Sequence, residues 1–258
     1  MSDRALRFAA VTGGDSGIGR AVAQALARSG WLIAVMDRHR PTEGAFADRV
    51  IDYQVDVTSE EEVNGALADF AARGQGCLDL LVNSAGLLAT GDFESLPLST
   101  YANLLNVNNF GVAVCCAKAY PYLLTSAQRG RRPCVVNLAS ASALAGIPSM
   151  AIYSASKFWV TGFTEALAAE WRDRGIAVRD VLPPFVDTPM LRGRDDNRLL
   201  ARLGATLTAE QTAGEVLRAA RGGPPHRLVT VKLQAAAFLI RFVPRAVVIR
   251  LLGAAAGH

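Results

Sequence analysis

Cysteine and histidine are scarce, with four and three residues respectively in a chain of 258. No Cys-x-x-Cys pair occurs, Cys115 and Cys116 are adjacent, and His39, His226 and His258 lie far apart, which excludes a disulfide framework and an ordinary zinc spacing. A reducing compartment and no metal are therefore expected. Charged residues make up only 19% against 51% hydrophobic, so there is material for a core and too little charge for a disordered chain. The net charge is +4, yet the basic residues are mostly scattered arginines without interleaved aromatics, which argues against a nucleic-acid partner. The segment Met1-Ser-Asp-Arg-Ala-Leu-Arg7 lacks a long apolar stretch, so no export signal is expected and a cytoplasmic location is. Repeats and low-complexity tracts are missing as well. The proline-rich breaks Leu182-Pro-Pro184 and Gly222-Gly-Pro-Pro225 read as loops within one large domain.

What the chain does have is alternation. Short apolar runs at Arg7–Thr12, Trp31–Met36, Val50–Val55, Leu78–Val82, Cys134–Leu138, Ile176–Leu182 and Arg227–Val231 have strand length. Between them, Gly17–Ser29, Glu60–Arg73, Tyr101–Ser126, Met150–Arg174 and Ala209–Arg221 have helical length and spacing, with Ser59 and Thr208 as N-caps. This predicts an α/β fold, a doubly wound parallel sheet of seven strands of Rossmann type, spanning residues 1–231. Residues 232–258 would form a short basic amphipathic tail of two helices, around Leu233–Phe242 and Pro244–Leu252.

The first strand runs into Val11-Thr-Gly-Gly-Asp-Ser-Gly-Ile-Gly19, which opens a helix. Backbone N–H groups and the helix dipole there can face a pyrophosphate, and glycines leave room for it. The second strand ends in Val35-Met-Asp37, where a carboxylate can accept both ribose hydroxyls of an adenosine and repel a 2′-phosphate. Arg38 could instead pair with that phosphate, but Asp15 adds negative charge inside the turn, so NAD is expected over NADP.

Tyr153-Ser-Ala-Ser-Lys157 lies near the start of a long helix, and a separation of four puts both side chains on one face. A free Tyr titrates near 10 and is a poor acid or base at neutral pH; an adjacent ammonium stabilises its phenolate. Taken alone, Y-x-x-x-K is a Tyr and a Lys on a solvated helix. Ser140 strengthens the functional reading, because it follows the apolar strand Val135-Val-Asn-Leu138 by two residues, at the strand end where parallel sheets bind ligands.

Together, Thr12-Gly-x-x-x-Gly-x-Gly19, Asn83-Ser-Ala-Gly86, Ser140 and Tyr153-x-x-x-Lys157 resemble the short-chain dehydrogenase/reductase family, in order and spacing, over about residues 7–231. The resemblance implies a nicotinamide-dependent oxidoreductase of secondary alcohols or ketones. It implies Tyr153 as general acid/base, Ser140 as donor to the substrate oxygen, and Lys157 as ribose ligand that lowers the Tyr153 pKa. Asn106, Asn108 and Asn109 compete for the place of an Asn supporting a proton relay, and Asn108 has the family spacing to Gly111. Cofactor contacts are implied for Gly13, Asp15, Ser16, Gly17, Ile18, Gly19, Asp37, Arg38, Asp56, Val57, Asn83, Ala85, Gly86, Tyr153, Lys157, Pro183, Val186 and Thr188. Ser84 stands where a second Asn is frequent, a change given no functional weight. Pro184 replaces a frequent Gly, which removes an N–H from the loop before Phe185-Val-Asp-Thr188.

Substrate determinants are expected in Leu87–Phe93, Ala141–Met150 and Pro189–Ala205, whose apolar character, with Leu144, Ile147 and Met150, favours a hydrophobic alcohol or ketone. The resemblance further implies a homodimer or homotetramer through the helices Tyr101–Ser126 and Met150–Arg174. The tail, with Lys232, Arg241, Arg245 and Arg250 and no acid, is too broken to span a bilayer; it closes the cleft, covers a subunit partner or lies peripherally on an anionic membrane. The alternative from another class is a catalytically idle nucleotide-binding protein that retains the fold.

Overall fold

The computed structural model describes residues 6–39, 48–191 and 207–257. Seven parallel strands form one sheet: β1 Phe8–Thr12, β2 Leu32–Asp37, β3 Val50–Gln54, β4 Leu80–Asn83, β5 Cys134–Leu138, β6 Ala177–Leu182 and β9 His226–Leu228, in the order β3-β2-β1-β4-β5-β6-β9. The order reverses direction between β1 and β4, so a crevice opens at the strand ends there. A second, two-stranded parallel sheet pairs β7 Val186–Asp187 with β8 Leu207–Thr208.

Both faces of the sheet are covered, which is why its strands read as unbroken apolar runs. On one face α2 (Glu60–Arg73), α4 (Gly111–Gln128) and α5 (Ala151–Trp171) bury Phe70, Leu67, Leu81 and Leu123. Phe70 is fully buried, edge-on to Phe8 and Tyr53, and its burial is worth about 1.5–3 kcal/mol. On the other face α1 (Gly17–Arg28) and α6 (Ala209–Arg221) pack Val22, Leu26 and Val216 against Val11, Val35 and Val136. The caps form as expected. The Ser59 side chain accepts the Glu62 N–H, and Thr208 and Gln211 make a reciprocal capping box at α6.

Three elements depart from the sequence expectation. The helix expected over Tyr101–Ser126 starts earlier, as α3 (Leu98–Leu105), and widens into a π turn at Asn106–Phe110 before α4 begins. The strand expected at Arg227–Val231 ends at Leu228, because the Thr230 side chain accepts the Leu233 N–H and starts α7 (Val231–Ile240). The small β7–β8 sheet joins two-residue strands, too short for a periodicity to announce. The tail does form two helices, α7 and α8 (Arg245–Ala256), but α7 fully buries none of its residues and only half-buries Leu233, Ala237 and Ile240.

Candidate active site

The Gly-rich turn joins β1 to α1 at the crevice. A Cβ on Gly19 would sit 2.1 Å from the Gly13 carbonyl oxygen, so the turn closes only with glycine there. Gly13 has φ +63°, and a Cβ on it would press within 2.8 Å of Ala85 Cα. Thr12, at the end of β1, clamps the opposite wall: its Oγ1 accepts the N–H groups of Ser84 and Ala85, each at 3.0 Å. The result is a cleft of about 450 Å3 lined by Gly13, Ser16, Gly17, Ile18, Asp37, Arg38, Asp56, Val57, Ala85, Gly86 and Thr188.

At the cleft's far wall, Asp37 ends β2. Its carboxylate accepts the N–H groups of Asp15 and His39, both at 3.2 Å, and is fixed rather than free to swing away. Asp56 Oδ1 accepts from the Thr58 N–H and hydroxyl, which holds its carboxyl below the usual range. Arg38 is exposed on the rim.

A smaller cavity of about 90 Å3 adjoins this cleft and shares Ile18, Ser84, Gly86, Leu87, Leu88, Thr188 and Met190 with it. Ser140, Tyr153, Lys157, Pro183, Pro184 and Val186 also line it, together with the apolar Met150 and Phe185. Ser140 stands just beyond β5, while Tyr153 and Lys157 lie on the first turns of α5. The Lys157 ammonium is buried, donates to the Leu138 carbonyl at 2.8 Å and lies 5.6 Å from the centre of the Tyr153 ring. Burial pulls its pKa down to about 8. Burial also raises the Tyr153 pKa, and the Ser140 hydroxyl beside it offsets that in part. Desolvation is the larger of the two, so the Tyr153 pKa lies above its ordinary value where the sequence reading expects Lys157 to lower it.

Asn108 sits at the centre of the π turn. Its Oδ1 accepts the Leu87 N–H at 2.7 Å, and its Nδ2 donates to the Leu87 carbonyl at 3.0 Å and to Ser156 Oγ at 3.1 Å. It thereby ties β4's loop to the helix of Tyr153. Asn109 donates instead to the Ser156 carbonyl, and Asn106 has neither bond among those the structure gives.

Three expected contact residues stand apart from the cleft lining. Asp15 spends its N–H on Asp37, Gly19 is buried behind the turn, and the Asn83 side chain points into the sheet, where Nδ2 donates to Asn137 Oδ1 at 2.8 Å and to Cys116 Sγ at 3.3 Å. Their shared feature is support of the wall rather than exposure on it. Conversely, Ser84, set aside in the sequence, lines both cavities, and Thr12 positions it. Only its place inside Asn83-Ser-Ala-Gly86 signalled it. Of the substrate segments, 192–205 lies outside the described residues, as do residues 1–5 and His258.

The sequence profile described as short chain dehydrogenase matches residues 7–199. The 3-ketodihydrosphingosine reductase of Bacteroides thetaiotaomicron is 34% identical over 193 residues, 75% of this chain and 67% of that protein. Among solved structures, a short chain dehydrogenase from Burkholderia cenocepacia in complex with NADP has a TM-score of 0.81 at 26% identity, covering 96% of this chain and 98% of that one. A short chain dehydrogenase/reductase from Burkholderia phymatum in complex with NAD has a TM-score of 0.80 at 27% identity, covering 93% and 94%.

Proposed function

Because the chain belongs to the short-chain dehydrogenase/reductase family, as an oxidoreductase acting on CH–OH groups with a nicotinamide cofactor, we propose that it interconverts a hydrophobic secondary alcohol and its ketone, with Tyr153 as the general acid/base. The observation that carries this reading is the convergence of Ser140, Tyr153 and buried Lys157 on one small cavity at the inner end of a glycine-walled cleft. That wall fits a dinucleotide, since Gly13, Gly17 and Gly86 line the cleft with no side chain between the backbone and a pyrophosphate. The adenosine end would lie by Asp37 and Asp56 and the nicotinamide end by Thr188 and Lys157, where the ring supplies the hydride acceptor or donor.

In oxidation, Tyr153 as the phenolate takes the proton of the substrate hydroxyl as the carbon gives up its hydride; in reduction, the Tyr153 phenol returns that proton to the carbonyl oxygen. Ser140 donates to that oxygen and fixes its direction. Lys157 keeps positive charge beside the phenol, and Asn108 holds the Leu87 loop and α5 in register. Ala85, Gly86, Pro183 and Val186 complete the lining. NAD is favoured over NADP by the fixed Asp37 carboxylate; exposed Arg38 is the competing group.

Leu87, Leu88, Met150 and Phe185 line the small cavity and favour an apolar substrate, in keeping with the name of the Bacteroides relative, a reductase of a sphingoid ketone. Exposed Leu98 on α3, Phe110 on the π turn, and Phe158 and Trp159 on α5 favour a homodimer through these helices. The two-helix tail would make a peripheral membrane contact. The test is NADH formation with a panel of secondary alcohols of rising chain length. Turnover that survives Tyr153→Phe on any substrate of the parent protein would overturn the mechanism.

A further inference from the structure

The tail groups exposed large apolar side chains on a pair of short helices, the kind of patch that marks an interaction surface. Val231 is 78% exposed, Phe242 72%, Phe238 and Leu239 60% each, and Ile249 and Leu251 65% each. Phe238 and Phe242 stack edge to face, 5.1 Å between ring centres, and form a preassembled aromatic tip. The charge here has one sign. Lys232, Arg241, Arg245 and Arg250 are the only charged residues from Val231 to the end of the chain, and none of them has an ion pair among the described residues.

The tail is also placed by the fold. β9 runs parallel to β6, so Leu228 ends at the same edge of the sheet as Leu182, and both pack with Leu144 around Ala139 and Val160, beside Ser140. Gln234 Nε2 donates to the Leu228 carbonyl at 3.1 Å, and Arg245 Nη1 donates to the Leu144 carbonyl at 3.1 Å. The two helices therefore sit on the rim of the loop that follows Ser140. With ten and twelve residues, about 15 and 18 Å long, they are too short to cross a bilayer and long enough to lie in its interface.

We propose that α7 and α8 dock this face of the protein on an anionic lipid bilayer and present the mouth of the small cavity to alcohols or ketones dissolved in it. The proposal rests on the hydrophobic-substrate reading above for its second half alone. Charge complementarity selects the occupant: an anionic lipid surface satisfies four cations that have no ion pair among the described residues, and the apolar side chains between them, whereas a second tail packed face to face would bring eight cations together.

Vesicle flotation of the full chain tests the docking without any turnover. Vesicles of equal parts phosphatidylcholine and phosphatidylglycerol should float the protein, phosphatidylcholine alone should bind it at least about tenfold more weakly, and high salt should close the gap. Arg241→Gln with Arg250→Gln, both at exposed sites, should weaken binding about thirtyfold with an unchanged Tm. Phe238→Ser with Phe242→Ser should weaken it on both vesicle types. These variants should oxidise a water-soluble alcohol as the parent does and raise the apparent KM for a long-chain alcohol carried in vesicles, with kcat unchanged. Equal binding to both vesicle types, or no binding to either, overturns the proposal. So does a concentration-dependent dimer that Phe238→Ser with Phe242→Ser abolishes, because a second copy then covers the face. A silent dehydrogenase assay with intact flotation would instead fault the substrate reading, and the two failures are thus separable.

Discussion

The large cleft is shaped by side chains that are missing, at Gly13, Gly17 and Gly86, whereas the small cavity beside it is shaped by side chains that are buried and polar, Lys157 foremost. The first is nearly local, since one turn and the ends of β2 and β4 make most of it. The second needs β5, the loop after β6, the π turn and α5 to arrive together. A backbone wall recognises a ligand by admitting its approach, and a side-chain cluster acts on a ligand by moving a proton. Damage to the two should therefore separate in the laboratory, one appearing as lost affinity and the other as lost rate.

The widest separation is expected for Tyr153→Phe. Losing the proton carrier should lower kcat by about 10²–10⁴ while NAD affinity, read by fluorescence titration, stays within a factor of about two. Gly19→Ala attacks the other side: with a Cβ 2.1 Å from the Gly13 oxygen, the turn must shift, at a cost of about 1–3 kcal/mol shared between Tm and the Kd for NAD. If Gly19→Ala lowered kcat and spared both, the division between wall and cluster would fail. Asp37→Ser sharpens the picture within the cleft, and the ratio of NADP to NAD affinity should rise about tenfold as the carboxylate facing a 2′-phosphate is lost. An unchanged ratio would move the selectivity to Arg38.

The smallest effect concerns the frame of the cavity. His226 on β9 bonds both oxygens of buried Asp180 at 2.9 and 3.0 Å and reaches Glu165 on α5 at 2.8 Å. The Asp180 carboxylate holds its pKa up, to about 9. A raised folded-state value means the stabilisation is complete below the ordinary 6.5 and is lost as pH rises through 9. Lys157, pulled down to about 8, works in the opposite sense above that pH, so the useful quantity is a difference. The Tm advantage of the parent over His226→Gln should shrink by a few degrees between pH 6.5 and 9. A constant advantage would take His226 out of the frame's pH response.

Legibility followed the same line between local and assembled. The glycine turn, the strands and the caps at Ser59 and Thr208 were readable, because each depends on neighbours in the chain. Tyr153 and Lys157 were readable as a pair through helix spacing, but the direction of the Tyr153 pKa was not, since it depends on how much water the assembled cavity excludes. The sideways role of Asn83 was hidden for the same reason: Asn137, its partner, is 54 residues away on a neighbouring strand. The π turn had no signal at all. It satisfies Asn108 against Leu87 and Ser156, and those contacts exist only once α5 has docked.

The four thiols give the molecule a clock. Cys77, Cys115, Cys116 and Cys134 are each 2% exposed or less, and burial pushes Cys116 up to about 12 and Cys134 to about 11. A thiolate does not form readily on Cys115, Cys116 or Cys134 while the sheet and its helices stay together, so an alkylating reagent must wait for an opening. Cys115 and Cys116 lie in α4 on one face of the sheet and Cys134 packs on the other face with α1 and α6, so the order in which they react reports which helical layer lifts from the sheet first.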